Sequence, residues 1–165
     1  GRSDYNNLIV FSSLSKRSNA PGLRSGYVAG DADLIKAFLR YRTYHGSAMS
    51  TTIQMASVAA WNDEEHVAEN RRLYTEKFKA FSAILEGKLE LHIPPAGFYF
   101  WADVGQSDTA FAKRLFEQAH VTLLPGSFLG READGHNPGA NHVRIALVAS
   151  LAECNEAAQR IKNIL

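Results

Sequence analysis

One lysine, Lys16, stands in a stretch of small hydroxyl residues that follows a short apolar run. The apolar run covers residues 8–11 and predicts a buried strand. Ser13 and Ser15 precede the lysine, and Arg24 lies eight positions after it, beyond a Pro-Gly pair. A loop that leaves a strand with hydroxyl groups and a fixed cation is suited to hold a phosphate group.

The lysine adds a second kind of chemistry to this loop. An amine that is partly removed from water favours its neutral, nucleophilic form. A nucleophilic amine beside a phosphate clamp suggests pyridoxal 5'-phosphate, because the aldehyde of that cofactor condenses with an amine. A surface lysine in a serine-rich turn is the alternative interpretation of Lys16.

Two short segments carry most of this signal. They are Ser13-Leu14-Ser15-Lys16 and Arg24-Ser25-Gly26. Together they closely resemble the cofactor-lysine signature of the fold-type I class I/II aminotransferases, which use pyridoxal 5'-phosphate. The resemblance implies that Lys16 binds the cofactor covalently and serves as general base and acid. It also implies that Ser13 and Arg24 hold the phosphate.

A further arginine, Arg144, lies in an alternating segment at residues 142–147. Alternation places Val143, Ile145 and Leu147 on one face of a strand and Arg144 on the other. A guanidinium donates two parallel N–H bonds, which suits a carboxylate. The resemblance implies that Arg144 binds the substrate α-carboxylate, whereas a solvent-facing strand arginine is the alternative.

Two other segments resemble parts of the family that lie near its active site. Gly97 and Phe98 belong to an aromatic segment near the substrate entrance, so they are candidates for lining the pocket, although core packing explains most of these aromatics. Residues 41–47 resemble a loop at the subunit interface, whereas a solvated loop is the alternative.

Strands and helices are predicted on both sides of the lysine. Residues 24–30 predict a second strand, with glycines that allow close backbone approach. Asp31 or Asp33 is expected to cap a helix. Residues 41–50 predict a loop, and residues 50–62 predict a buried helix because apolar side chains fall on more than one side.

A long helix is expected next. Residues 66–85 carry apolar side chains at helical spacing, after an acidic start at residues 63–65 and before Gly87. The remaining predicted elements are strands at residues 89–93, 98–104, 121–124 and 142–148, a helix at residues 108–120, a glycine-rich loop at 127–141 and a last helix opened by Ser150 and Glu153. The side chains expected to face inward from the helix at 108–120 are Phe111, Leu115 and Phe116.

This order predicts an α/β (α+β) fold with strands backed by helices. The resemblance implies that residues 1–62 are the end of the large, cofactor-binding domain. Residues 63–88 are then the linking helix, and residues 89–165 the small C-terminal domain. The chain does not begin with methionine, and Lys16 comes far earlier than in the family, so we expect a fragment.

The composition limits the possible partners. The 165 residues are 45% apolar, which is enough for a real core. Eighteen basic and seventeen acidic residues give a net charge of +1, which offers no argument for nucleic acid or a membrane surface. The single cysteine, Cys154, fits a reducing, cytoplasmic setting. The six histidines lack paired metal spacing, so no metal site is predicted.

Within the family, three segments are most similar to enzymes of bacterial lysine and diaminopimelate biosynthesis. These segments are residues 41–50, 60–67 and 144–151. The resemblance implies an amino acid and a 2-oxo acid as substrates, namely glutamate as donor and N-succinyl-2-amino-6-oxopimelate as acceptor. It also implies a homodimer for the full-length protein. The family's partners for the cofactor ring lie upstream of the lysine, so this chain alone is expected to be inactive.

Two other functions use the same fold. The first is the cofactor-binding, aminotransferase-like sensor domain of a transcription regulator, which an upstream helix-turn-helix would indicate. The second is an interaction module that keeps the fold without the chemistry. Loss of Lys16 or Arg144 would have favoured that module, and both residues are present.

Overall fold

The start of the chain is built on a ribbon of two antiparallel strands, in a computed structural model that describes residues 4–165. Strand β1 is Ile9–Ser13 and strand β2 is Gly26–Gly30, so both predicted strands are confirmed with shifted ends. Ser13 lies opposite Gly26 in the register. A Cβ atom at Gly26 would lie 2.5 Å from the carbonyl oxygen of Ser12, so glycine is required for this approach.

The segment between the two strands is more regular than the predicted loop. Helix α1, Leu14–Arg17, is a single turn that begins at Ser13. A 3-10 turn, Pro21–Leu23, follows it and leads into β2. A serine hydroxyl satisfies the first amides of a helix, and this allows the turn to form directly after the strand.

Helix α2, Ala32–His45, follows the ribbon. It begins at Asp31, whose carboxylate accepts hydrogen bonds from the first amides of the helix, so the predicted cap is confirmed. The loop predicted at residues 41–50 is wrong in its first half, because α2 continues until Gly46. No proline or glycine interrupts those positions, and the polar side chains there lie on an exposed helix.

Helix α3, Thr51–Asn62, is capped by Ser50 and confirms the predicted helix. The prediction that α3 is buried is wrong. Ser57 is its one buried side chain, whereas Met55 and Val58 are 71% and 60% exposed. An apolar helix is buried only where another element covers it, and no described residue of this chain covers those two side chains.

Helix α4, Glu65–Leu85, confirms the predicted long helix. The carboxylate of Asp63 accepts the first amides, and Gly87 takes a left-handed φ of +75° just beyond the last turn. The chain divides into two compact units within α4. The first unit ends at Asn70, and the second is Arg71–Leu165.

The second unit contains a three-stranded antiparallel sheet backed by helices. Its strands are β3, Tyr99–Asp103, β4, Leu124–Pro125, and β5, His142–Ala146, in the order β3-β5-β4. Helix α5 is Asp108–Ala119 and helix α6 is Leu151–Ile164. In the core, side chains of the sheet pack against α4, α5 and α6. Its members include Phe78, Phe81, Leu85, Phe100, Phe111, Leu115, Val143, Ile145 and Ile161.

Three predictions for the second unit are wrong. Residues 89–93 form no strand, because their alternation finds no partner strand; Leu89 and Leu91 pack beside the core instead. The strand predicted at 121–124 shrinks to the short β4. Phe116 is 61% exposed, since the buried stripe of α5 runs along positions 111, 115 and 119.

The mixed fold is confirmed as α/β (α+β), with strands backed by helices. The capping box of α6 is also present, because Ser150 and Glu153 exchange hydrogen bonds.

Among residues 4–165, no helix has the length and apolar character that a membrane span requires. The same residues contain no cluster of three or more histidine, cysteine or acidic side chains that could hold a metal ion.

Candidate active site

Ser13 lies where β1 passes into α1, and the backbone on both sides fixes its hydroxyl group. The Ser13 Oγ atom accepts a hydrogen bond from the amide of Ser15 at 3.1 Å. It lies 2.9 Å from the carbonyl oxygen of Ser25 and 3.0 Å from the Ser15 hydroxyl. A hydroxyl has one proton, so Ser13 donates to one of these oxygens. To bind a phosphate, Ser13 would redirect that proton.

Lys16 lies in the single turn of α1, and its side chain is exposed. The turn is anchored by its first residue, Leu14, which is fully buried. The Leu14 amide donates to the Ser25 carbonyl at 3.1 Å, and the Leu14 carbonyl accepts from Ser18 and Ala20. The lysine therefore extends from a turn whose backbone is bonded to Ser25, the residue before β2.

Arg24 lies two positions before β2 in the left-handed conformation, with φ 50° and ψ 35°. Its guanidinium donates to the Pro21 carbonyl at 2.8 Å, and the side chain remains exposed. Among the described non-glycine residues with positive φ, the others are asparagine, aspartate or histidine. An arginine in this region stores strain, and such strain often accompanies a functional site.

The ribbon of β1 and β2, with the connection between them, forms a hairpin (residues 9–30). This hairpin brings three of the four predicted site residues together. Ser13 pairs with Gly26, two positions after Arg24, and Lys16 lies one turn after Ser13. A hydroxyl, a guanidinium and a primary amine form a donor set that fits the phosphate and aldehyde groups of pyridoxal 5'-phosphate. All three residues belong to the first unit.

Arg144 belongs to the second unit and lies in the central strand of the sheet. It is opposite Trp101 of β3 and Leu124 of β4. Val143 and Ile145 are buried, so the predicted alternation of faces is confirmed.

The guanidinium of Arg144 is held by an aromatic ring. Its Cζ atom lies 5.6 Å from the ring centre of Tyr99, within range of a cation–π interaction. The Nε atom is buried and has no hydrogen-bond partner in the part of the chain that the structure describes. An unused donor on a half-buried arginine can bond to an incoming carboxylate.

The two candidate pocket residues lie just before β3. Gly97 has a φ of +110°, and the ring of Phe98 packs edge-on against Tyr99 at 5.3 Å. Phe98 and the Arg144 guanidinium therefore both contact the ring of Tyr99.

Sequence reasoning missed two features of the hairpin. The first is the pair of buried serines, Ser25 and Ser57, whose hydroxyl oxygens are 2.7 Å apart. The second is Arg17, whose side chain contacts the end of α3. Both depend on contacts between residues 32 to 47 positions apart, which no local pattern reveals.

Comparison with known proteins places the chain in a family. A family model described as aminotransferase class I and II matches residues 1–161. An LL-diaminopimelate aminotransferase of Moorella thermoacetica is 36% identical over 164 residues, which are 95% of this chain and 40% of that protein.

Solved structures give the same result. An aminotransferase of Neisseria meningitidis is 54% identical, with a TM-score of 0.91, over 98% of this chain and 41% of that one. A probable N-succinyldiaminopimelate aminotransferase of Thermus thermophilus is 31% identical, with a TM-score of 0.84, over 100% of this chain and 44% of that one. The chain thus spans about two fifths of the length of these relatives. It belongs to the class I and II aminotransferase family.

Proposed function

We propose that this chain forms the lysine-bearing part of a pyridoxal-phosphate-dependent aminotransferase. In this proposal Lys16 binds the cofactor covalently, and Ser13 and Arg24 hold its phosphate. Arg144 binds the α-carboxylate of the substrate. The observation that carries the proposal is the hairpin, in which one turn and one strand pairing gather a hydroxyl, an amine and a strained arginine in a member of this family.

Each residue would have a distinct task in amino transfer. When bound, the cofactor supplies an electron-poor ring that spreads the negative charge left on the substrate Cα. Once the substrate amine has displaced it from the cofactor, the Lys16 Nζ atom would take the proton from that Cα and hold it for return, as general base and then general acid. Arg24 would balance the phosphate charge, and Arg24 and Ser13 together would fix the cofactor's position through hydrogen bonds. Arg144 would hold the substrate by its α-carboxylate, and holding a substrate in place lowers the barrier.

The substrates in this proposal are an amino acid and a 2-oxo acid. We assign glutamate as donor and N-succinyl-2-amino-6-oxopimelate as acceptor, in lysine and diaminopimelate biosynthesis. The support is the likeness of residues 41–50, 60–67 and 144–151 to enzymes of that pathway, together with relatives that carry diaminopimelate or succinyldiaminopimelate in their names.

We also propose a cytoplasmic homodimer for the complete enzyme. The end of α2 carries Tyr41 and Tyr44, which are 60% and 81% exposed, in the segment that resembles the family's interface loop. Large exposed aromatics next to one another favour contact with another protein surface. The buried free thiol of Cys154 fits a reducing compartment.

A chimera tests the proposed function directly. The part of the Neisseria aminotransferase that this chain does not cover is joined in front of Gly1, so that the present residues supply the lysine, the phosphate-binding groups and Arg144. We expect the chimera to bind pyridoxal 5'-phosphate and to transfer the amino group of glutamate to a 2-oxo acid. The chain alone should not transfer amino groups, because the resemblance places the ring's other partners upstream.

Two variants act as controls for the chimera. Lys16→Ala should abolish transfer while the protein stays folded, whereas Lys36→Ala, at an exposed lysine of α2, should leave it unchanged. A chimera that is folded, inactive with every amino acid tried and unable to bind the cofactor would contradict the proposal.

A further inference from the structure

Arg17 is the neighbour of Lys16 in α1, but the two side chains have different surroundings. The Lys16 side chain is exposed, whereas the Arg17 side chain is 17% exposed. Arginine is rarely covered to this extent unless its donors are used. The contacts of Arg17 therefore indicate what holds the turn that carries the lysine.

The guanidinium of Arg17 makes three kinds of contact with the end of α3 and with Glu64, which follows that helix. Its Nη1 atom donates to the carbonyl oxygen of Ala60 at 2.9 Å. Its Nη2 atom forms an ion pair with Glu64. Its Cζ atom lies 4.9 Å from the centre of the Trp61 ring, in cation–π contact. One side chain thus joins α1 to a carbonyl, a carboxylate and an aromatic ring.

The same helix also holds the other side of the hairpin. The Ser57 hydroxyl bonds to that of Ser25, and the Ser25 carbonyl accepts from Leu14 at the start of α1. The Trp61 ring packs edge-on against Tyr27 of β2 at 5.0 Å. Ser57 and Trp61 are four positions apart in α3, so they lie on the same face of that helix, and this face contacts the hairpin.

A helix of one turn does not hold its own direction. Four residues are far below the length at which a helix is stable in water, so α1 depends on contacts outside itself. At its start the anchor is the buried Leu14, and at its end it is Arg17. Lys16 lies between these two anchors.

We infer that Arg17 is a positioning residue: through Ala60, Trp61 and Glu64 it holds in place the turn of α1 from which the Lys16 side chain extends. The inference rests on the proposed function of Lys16 as the cofactor-binding lysine. Arg17 acts through the backbone of the turn. We assign it no contact with the phosphate, because its terminal nitrogens bond to Ser18, Ala60 and Glu64 and its Cζ atom lies over the Trp61 ring.

Reductive trapping on the full 165-residue chain tests this role. The chain is treated with pyridoxal 5'-phosphate or with pyridoxal, reduced with borohydride, and the adducts are mapped by peptide mass spectrometry. The labelling yield at Lys16 with pyridoxal 5'-phosphate, divided by the yield with pyridoxal, measures how well the amine is aligned with the phosphate-binding groups. Urea unfolding of each variant, run in parallel, reports stability separately.

The variants separate positioning from a direct electrostatic effect. Arg17→Ala should lower the ratio at Lys16 about fivefold or more, because charge-assisted hydrogen bonds are lost. Trp61→Leu keeps the charge of Arg17 but removes the ring beneath it, so it should lower the ratio in the same direction. Trp61→Phe keeps an aromatic face and should restore most of it. Arg160→Ala, which breaks a helical ion pair with Glu156 in the second unit, should leave the ratio unchanged.

Each outcome decides one question. A ratio that falls in Arg17→Ala and Trp61→Leu while both remain folded supports the inference. A ratio that is unchanged in Arg17→Ala, or that falls in Arg17→Ala but not in Trp61→Leu, overturns it and leaves the proposed function standing. A wild-type ratio at Lys16 no higher than at other lysines also overturns it, and activity of the chimera then decides the proposed function by itself.

Discussion

Ser25 and Ser57 lie 32 positions apart in the sequence, yet their hydroxyl oxygens are 2.7 Å apart and both side chains are buried. The Ser57 hydroxyl also lies 2.6 Å from the carbonyl oxygen of Ile53 within α3. Ser57 has one proton, so the two serines and this carbonyl form a short chain of donors and acceptors. These hydrogen bonds connect α3 to the segment that carries the candidate phosphate-binding groups.

Replacing both of these serines should cost less than the sum of the two single replacements. Ser57→Ala leaves the buried Ser25 hydroxyl without its partner, and we expect a loss of about 1–2 kcal/mol in the free energy of unfolding. The double variant Ser25→Ala, Ser57→Ala removes both polar groups and should lose less than the sum of the single variants. Urea unfolding of the four proteins measures this coupling. Strictly additive losses would show that the bond contributes nothing of its own.

Gly26 should be required for the ribbon, and Gly22 should not. A Cβ atom at Gly26 would lie 2.5 Å from the backbone oxygen of Ser12, so Gly26→Ala has to separate the strands. We expect a loss of about 2 kcal/mol or more in the free energy of unfolding. Gly22→Ala is the matched control, since a methyl group at that position would have no described atom within 4 Å beyond its chain neighbours. It should be neutral or stabilise the chain by up to about 1 kcal/mol. Equal effects of the two substitutions would contradict this explanation.

Local chemistry explains which parts of this fold could be predicted. Asp31 caps α2, and Ser150 with Glu153 caps α6, because these bonds join residues two or three positions apart. The strand predicted at residues 89–93 failed, because alternation cannot say whether a partner strand exists. The burial predicted for α3 failed for a related reason, since Met55 and Val58 reveal their hydrophobicity but not what covers them.

The same difference between local and long-range contacts decides which residues of the candidate site could be predicted. Lys16, Ser13 and Arg24 could be proposed from sequence because they lie within twelve positions of one another in a recognisable signature. The contacts of Arg17 with Trp61 and Glu64 could not, because they depend on how α3 packs against the hairpin. Positions that hold a site in place are therefore harder to predict than positions that perform its chemistry.

Arg24 should lower the stability of the fold while it contributes to phosphate binding. Its left-handed φ of 50° costs a non-glycine residue about 1 kcal/mol. We therefore expect Arg24→Gly to be at least as stable as the wild type, and Arg24→Ala to be less stable than Arg24→Gly by about 1 kcal/mol. Both variants should lose the preference of Lys16 for pyridoxal 5'-phosphate over pyridoxal.

A glycine at another left-handed position is the control for Arg24. Asn19 has a φ of 51° in the same connection, and Asn19→Gly relieves the same kind of strain without removing a cation. Trapping at Lys16 should be unaffected by that change. A loss of the phosphate preference in Asn19→Gly as large as in Arg24→Gly would mean that the loop's conformation matters rather than the guanidinium.

Asp108 should make the stability of the second unit depend on pH. Burial raises the pKa of this carboxyl group, but hydrogen bonds from the hydroxyl and the amide of Ser127, at 2.6 and 2.8 Å, outweigh burial and lower it below its ordinary value of 3.8. A lowered folded-state pKa gives stability that is present above the unfolded value and is lost as the pH falls through the folded value.

Removing the charge of Asp108 tests this pH dependence. Asp108→Asn should lose about 2 kcal/mol of unfolding free energy at neutral pH, because two hydrogen bonds to a carboxylate are weakened. The difference from wild type should shrink as the pH falls below 3.8. Glu117→Gln removes an exposed carboxylate from the same helix and should change stability by less than about 0.5 kcal/mol. A difference for Asp108→Asn that is constant across this pH range would contradict the assignment.

Arg144 should discriminate substrates by their carboxylate, and lysine should not replace it. A lysine keeps the charge but has no planar pair of donors, and it loses the stacking on Tyr99 that orients the guanidinium. In the chimera, Arg144→Lys should raise the KM for glutamate roughly tenfold or more, with a smaller change in kcat, because ground-state binding is lost. Arg131→Lys, at an exposed arginine of the loop before β5, should change neither constant. A KM that stays within twofold of the parent in Arg144→Lys (roughly 0.4 kcal/mol of binding) would remove Arg144 from the proposed site and leave the carboxylate to another group.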